Sequence, residues 1–459
     1  MIKSKQASID AGQGTMKEGP VTLLLGFTIV LVIMNTMMFN LALPDVAKDY
    51  QLSGASTSWI VTGYSIVFAM ASITYSRLSD FIPIRKLFII GILSLSLAAI
   101  AGLFTNSFVM LIIVRILQAS GAGSIAALSL NLISRYIPIE RRGKAMALTM
   151  SSISLGLGLG PVVGGAIVEY MGWHYLFGVT GLTLLLIPLY VVLIPKEKPR
   201  SGNFDALGAL FIGAGTTGLL LFLTNHSWIS LIGGLLGLVL FSFRIRSAKD
   251  PFVLPVLFRN RSFLILSAVG IAGYLSSFAT LFLMPQILVK QYGLSAIEAG
   301  FVIFPGSFLA IFVSRRAGKI IDLRGNSTII RFVPIALLLS VLLFALFQGS
   351  SYIAILLIYI LMSISFTIIS SSVSNEISRI LIPAQIGSGL GLFQLLQFFS
   401  GAFAVAMSAS ALTWQKNLPI KEAYSNIYWG LAVIVILAIG CAFMYLRSHV
   451  RRQKALASS

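Results

Sequence analysis

Arg115 stands in the run Arg115-Ile-Leu-Gln118-Ala-Ser-Gly121-Ala-Gly123, inside an apolar segment that begins near Phe108 and continues past Leu130. A guanidinium about a third of the way along a membrane helix costs roughly 2.5–3.5 kcal/mol on insertion scales. Its presence implies either a structural tie to carbonyls of neighbouring helices or a gating residue beside a polar path. The other polar side chains embedded in apolar runs are neutral. They are Asn35, Thr36 and Asn40 near the end of the first run, Tyr64 in the second, Gln118 beside Arg115, and Gln394 with Gln397 among glycines and phenylalanines. Such groups either glue helices together or line a site for a small molecule, and they are the candidate substrate contacts. Bond-making chemistry is not expected. There is no nucleophile–base pair, and three histidines with the single Cys441 leave neither a metal site nor a disulfide framework.

The elements that carry these residues are membrane spans. The 459 residues are 57% apolar and 10% charged, with a mean hydropathy of +0.94, far below the charged fraction of about 25% in soluble domains. Apolar runs of about 20 residues predict helices near 21–43, 58–76, 87–105, 108–131, 144–168, 174–195, 206–224, 228–243, 263–287, 296–314, 329–348, 352–373, 386–411 and 425–446. The net charge of +19 does not indicate nucleic acid, because 28 of the 33 Lys/Arg fall in loops on one side of these fourteen spans. The positive-inside rule then places both termini in the cytoplasm. The expected fold is an all-α polytopic membrane protein. It divides into a tail (1–20), a six-helix bundle (21–195), linkers with an inserted helix pair (196–262), a second six-helix bundle (263–446) and a basic tail (447–459).

Three loops and one helix carry the candidate coupling residues. The second span runs into Ser76-Arg77-Leu-Ser-Asp80-Phe-Ile-Pro83-Ile-Arg85-Lys86, where one carboxylate is hemmed in by three cations. Such a group can hold a neighbouring helix end in one conformation and release it in another. The loop has an echo in Gly318-Lys-Ile-Ile-Asp322-Leu-Arg-Gly325, with the same Ser/Gly-to-Asp spacing and the same place in the helix order, as two related transporter halves would leave. Arg135 to Lys144 forms a basic loop suited to anionic lipid headgroups or to pairing with Asp80. In the fifth span Gly156, Gly160 and Gly164 make a groove for close packing, and Pro161 lets the helix bend. A close-packed, bendable helix is what a rocking interface needs.

Taken together, these motifs resemble those of the major facilitator superfamily, in particular its fourteen-helix drug:proton antiporters. Ser76–Lys86 resembles the family's Gly-x-Leu-x-Asp-Arg-x-Gly-Arg-Lys signature, with Ser76 and Pro83 in place of glycines. Arg115–Gly123 resembles its fourth-helix arginine motif, and Gly156–Gly165 its fifth-helix Gly-Pro antiporter motif. Arg135-Tyr-Ile-Pro138, Arg142-Gly-Lys-Ala145 and Phe304-Pro-Gly306 are similar to Gram-positive tetracycline efflux proteins. Those proteins carry membrane carboxylates where this chain has Thr36, Leu157 and Gly401, and all fourteen acids here lie near helix ends or in loops. The resemblance implies a secondary exporter of amphipathic, drug-like or lipid-like molecules in a bacterial cytoplasmic membrane, monomeric and needing no cofactor beyond a proton gradient. Asp80, Glu376 or another acid near a helix end would carry the proton. The alternatives are a tetracycline or multidrug antiporter proper, and a transporter-shaped sensor that moves nothing.

Overall fold

The computed structural model describes residues 16–52, 54–199, 202–225 and 227–457. Fourteen helices among them are long and apolar enough to cross a membrane. They are α1 (Glu18–Asp49), α2 (Gly54–Leu78), α3 (Ile84–Gly102), α4 (Phe108–Tyr136), α5 (Arg142–Tyr170), α6 (Trp173–Leu193), α7 (Ala206–Asn225), α8 (Trp228–Ser247), α9 (Arg261–Tyr292), α10 (Ala296–Arg324), α11 (Ser327–Phe347), α12 (Tyr352–Ile380), α13 (Pro383–Trp414) and α14 (Ile420–Ala457). Part of each expected terminal tail, 1–15 and 458–459, lies outside the described residues.

Several helices are longer than their apolar runs. Hydrophobicity marks only the hydrocarbon-facing stretch, whereas capping decides where a helix ends. Ser107 caps α4 by accepting from Met110 N. Asn260 caps α9 through Phe263 N, and Ser295 with Glu298 forms a capping box on α10. The sixth span departs from the expected continuous helix. Residues Trp173–Tyr175 and Leu182–Leu186 are 3-10 turns flanking short α segments. Pro188 supplies no N–H to the carbonyl four residues back, and Thr183 donates to Thr180 O while pairing with Ser96 of α3.

The helices group into two sets of six. In the first, α1 packs on α5, and α4 on α2 and α3; in the second, α9 packs on α12, α13 and α14, α10 on α12, and α11 on α12 and α14. The sets meet where α5 packs against α10 and α12, and where α2 and α4 pack against α13. The inserted pair α7–α8 packs mainly on itself through Gly215, Gly218, Gly234 and Gly237, and α7 also touches α2 and α13. Asp205 pins the pair: it receives Gly208 N, Phe252 N and Arg244 Nε, the last at 2.9 Å.

The Gly156, Gly160 and Gly164 stripe was expected at the moving interface. Instead a Cβ on each would strike α1 of the same half, at Ile33, Met37 and Met38 respectively. The close approach between halves falls on Gly158, which abuts Ser307 of α10, and on Gly143 and Gly318, where α5 and α10 touch near their basic ends. Pro161 is half-buried beside Val162, which meets Gly300 of α10.

Candidate transport site

Arg115 is 2% exposed, so it faces the bundle interior and not lipid. Its guanidinium lies over the rings of Phe39 and Tyr64, each at 4.1 Å, and Nη1 donates to Gln118 Oε1 at 3.1 Å. Cation–π contact of this desolvated kind is worth up to about 2 kcal/mol per ring, which explains how the charge is tolerated without a carboxylate. Around it the polar groups expected from sequence converge. Thr36 Oγ1 donates to the Tyr64 hydroxyl at 3.2 Å. Asn35 is fully buried beside Tyr64, yet neither end of its amide makes a hydrogen bond of good geometry; Gln118 Nε2 and Arg115 Nε are also without partners. Asn40 does not join them. It is exposed in the C-terminal half of α1, with a 3.9 Å contact to Met37 sulfur.

The second half contributes Gln394 and Gln397 of α13, both buried. Gln394 Nε2 donates across the interface to Ala126 O of α4 at 3.3 Å, whereas neither amide atom of Gln397 is bonded. Buried polar atoms in a native structure are almost always satisfied. The amides of Asn35 and Gln397, one in each half, thus offer donors and acceptors to water or a solute.

Between these polar groups runs an aromatic layer that sequence reading missed. Phe68 of α2 meets Phe398 of α13 edge-on at 4.4 Å; Phe398 meets Tyr274 of α9, which contacts Phe278 and Phe366. Spread over four helices, these rings share no local spacing that a sequence pattern could detect. By contrast, the apolar groove of about 490 Å³ between α3 and α4 has no convergent polar groups and is lined by outward-facing Leu97, Val109, Ile113 and Leu117. It is a lipid-facing crevice.

The two echoing loops close the basic end symmetrically. Asp80 pairs with Arg77 at 2.7 Å, and its carboxylate abuts Gly387 in the second turn of α13. Ser76 Oγ donates to Gly387 O at 2.6 Å and accepts from Asn131 Nδ2 at 2.7 Å. In the mirrored place, Asp322 accepts from Gly143 N at 2.7 Å and Lys144 N at 3.1 Å, in the first turn of α5. Neither α13 nor α5 has a side-chain cap of its own. Asp322 of the opposite half takes the place of a cap at the positive dipole end of α5, while Asp80 of the opposite half lies against the second turn of α13. Arg142 adds a third link, donating to Ser378 Oγ of α12 at 3.2 Å. Arg85 and Lys86 stay at the rim, half-buried and exposed respectively. Glu376 lies in the second half among Asn326 and Tyr445, away from the Arg115 group.

Glu197, in the linker expected to begin at residue 196, straps the connection between the halves to this closure. It accepts from Ile84 N at 2.6 Å, Tyr136 Oη at 2.7 Å and Arg135 Nη1 at 2.9 Å, and Arg135 also holds Ser79 O. Burial disfavours its charge, but Arg135 and the three donors prevail and hold the carboxyl below its ordinary value. A depressed value in the fold means stability that is present above the unfolded value of about 4.3 and lost as pH falls through the folded one. Glu197→Gln should therefore lower thermal stability at neutral pH, by about 1 kcal/mol after screening on its solvent side. The gap from wild type should close in acid; melting curves separated equally at both pH values would contradict this role.

Two linked six-helix sets, joined at one end by reciprocal carboxylate contacts and holding unpaired polar groups at their centre, define a polytopic membrane transporter and not an enzyme. The chain belongs to the Major Facilitator Superfamily, whose profile matches residues 25–405. It is 26% identical over 435 residues to the riboflavin transporter RibZ of Clostridioides difficile (strain 630), covering 91% of this chain and 95% of that one. It is 25% identical over 406 residues to a multidrug resistance protein B homolog of Mycobacterium tuberculosis (strain CDC 1551 / Oshkosh), covering 84% and 75%. The crystal structure of the human organic anion transporter MFSD10 (TETRAN) superposes with a TM-score of 0.70 at 14% identity, covering 93% of this chain and 99% of that one. The proton:xylose symporter XylE does so with 0.68 at 14%, covering 94% and 96%. At such identity these two solved structures speak to the fold alone.

Proposed function

We propose that this protein is a proton-coupled secondary exporter of amphipathic small molecules, neutral or anionic, working by alternating access in a bacterial cytoplasmic membrane with both termini inside. The observation that carries the reading is Arg115, buried without a carboxylate partner among the described residues, beside the amide of Asn35 and the free Nε2 of Gln118, with Gln397 contributed by the other half. A cationic solute entering that group would meet a positive charge and no anion, whereas a neutral or acidic one finds donors, acceptors and aromatic walls. A relative named for riboflavin and another named for multidrug resistance are consistent with solutes of this kind. Tetracycline antiport proper is the weaker reading, since Thr36, Leu157 and Gly401 offer no carboxylate for a proton or a metal chelate.

Everted membrane vesicles test this directly. Riboflavin, an anionic dye, tetracycline and the cation ethidium are supplied with and without an uncoupler. Uncoupler-sensitive accumulation of riboflavin or the anionic dye, but not of ethidium, is the expected result. Accumulation insensitive to the uncoupler removes proton coupling, and no accumulation of any probe favours the sensor reading.

A further inference from the structure

The basic-end third of α12 carries a run of polar side chains, including Ser370, Ser372, Ser374, Asn375 and Glu376, that the central polar group does not use and that is buried. Glu376 is 8% exposed. One of its oxygens accepts from the Tyr445 phenol of α14, the other from Asn326 Nδ2 at the turn before α11. Asn326 is fixed in turn, its Oδ1 accepting from Ser372 Oγ at 3.0 Å and Asn375 Nδ2 at 3.4 Å. Among the described residues no ion pair includes Glu376. It is a buried carboxyl held entirely by neutral donors.

Among the described side chains, the charged groups around it are few. Arg379 follows three residues later on α12, and Asp322 of α10 and Arg142 of α5 lie within electrostatic reach of Arg379. Arg261 of α9, Lys319 of α10, Arg331 of α11, Lys144 of α5 and Arg447 of α14 are exposed, and α13 has no charged side chain. Arg135 of α4 is engaged by Glu197.

We propose that Glu376 is the proton-binding site of this transporter and that its protonation loosens the closure of the basic end. The anion accepts two hydrogen bonds; the acid must donate one. The Asn326 amide nitrogen cannot accept it, so the proton sits on the oxygen facing Tyr445, whose hydroxyl turns to receive it. The proton comes from and returns to solvent. Its arrival cancels a negative charge in the same helical turn as Ser378. Arg142 and Arg379, on opposite halves, then repel one another with less compensation, Asp322 acting on Arg379 and Glu140 on Arg142, and the Arg142–Ser378 link weakens. The inference rests on the proton-coupled reading and supplies the acid missing from Thr36, Leu157 and Gly401.

The test uses the full chain in nanodiscs with Cys441 replaced by serine and spin labels at the exposed Ile139 and Ile382, one on each half at the basic end. Taking wild type from about pH 8 to about pH 5, on either side of neutrality, should shift the label distances to longer values. Glu376→Gln, which mimics the acid, should show the long distances at both pH values, and the protonated-carboxyl infrared band that wild type gains in acid should be lost. Tyr445→Phe, which keeps the ring, should displace the pH midpoint without removing the transition. If the glutamine variant follows wild type in both readouts, the proposal is overturned. Because neither readout involves a substrate, that result leaves the vesicle experiment free to stand or fall by itself. Should the glutamine variant not fold, an unmoved midpoint in Tyr445→Phe overturns it instead.

Discussion

Replacing Arg115 by alanine should cut transport of an anionic probe steeply while leaving a folded protein. The guanidinium is not ion-paired to any described carboxylate, so its removal strands no opposite charge. What is lost is the pair of ring contacts with Phe39 and Tyr64 and the donor to Gln118 Oε1. A hydrogen bond between a charged donor and a solute is worth about 1.5–3 kcal/mol, so transport of an anionic probe should fall on the order of 10- to 150-fold. Arg115→Lys should be intermediate, because an ammonium keeps the charge but not the planar group that two rings can sandwich. Initial rates in vesicles, together with melting curves of the purified variants, check both halves of the prediction. An alanine variant that transports normally would show that Arg115 is only interhelical glue.

The same residue shows what sequence alone could reveal. A lone charge in an apolar run is costly enough to announce itself, and so are Asn35, Thr36 and Gln118; their meeting around Tyr64 follows from helices long enough to be recognised individually. The echo between 76–86 and 318–325 was legible for a related reason, since a repeated fold repeats its charged turns. Its meaning was not. Nothing local says that Asp80 reaches α13 and Asp322 reaches α5, because each contact joins residues far apart in the chain. The glycine stripe misled for the complementary reason: small residues at a spacing of four signal that a helix packs closely without saying which helix does so. The Phe68–Phe398–Tyr274 layer and the Glu197 strap were invisible because each is assembled from residues individually ordinary for their surroundings.

The reciprocal carboxylates yield the second large effect. Asp322 occupies the positive end of α5, an interaction worth up to about 2 kcal/mol in partly buried geometry, and Asp80 reaches across to the second turn of α13. Asp322 also accepts from two backbone donors. Asp80 and Asp322 act at different helix ends, so their contributions should add. Asp80→Asn or Asp322→Asn alone should slow turnover, and the double variant should shift the balance away from the closed basic end by up to about 4 kcal/mol, at most roughly 900-fold in population. Neither side chain belongs to the Arg115 group, so the loss should appear in the maximal rate of whichever vesicle probe is transported, with its half-saturating concentration nearly unchanged. A normal maximal rate with weakened affinity would place Asp80 in substrate contact instead. The closure has two arms because each six-helix set presents one bare helix terminus and one carboxylate. A rocking motion that parts one pair must part the other, which makes opening of the basic end a single cooperative step.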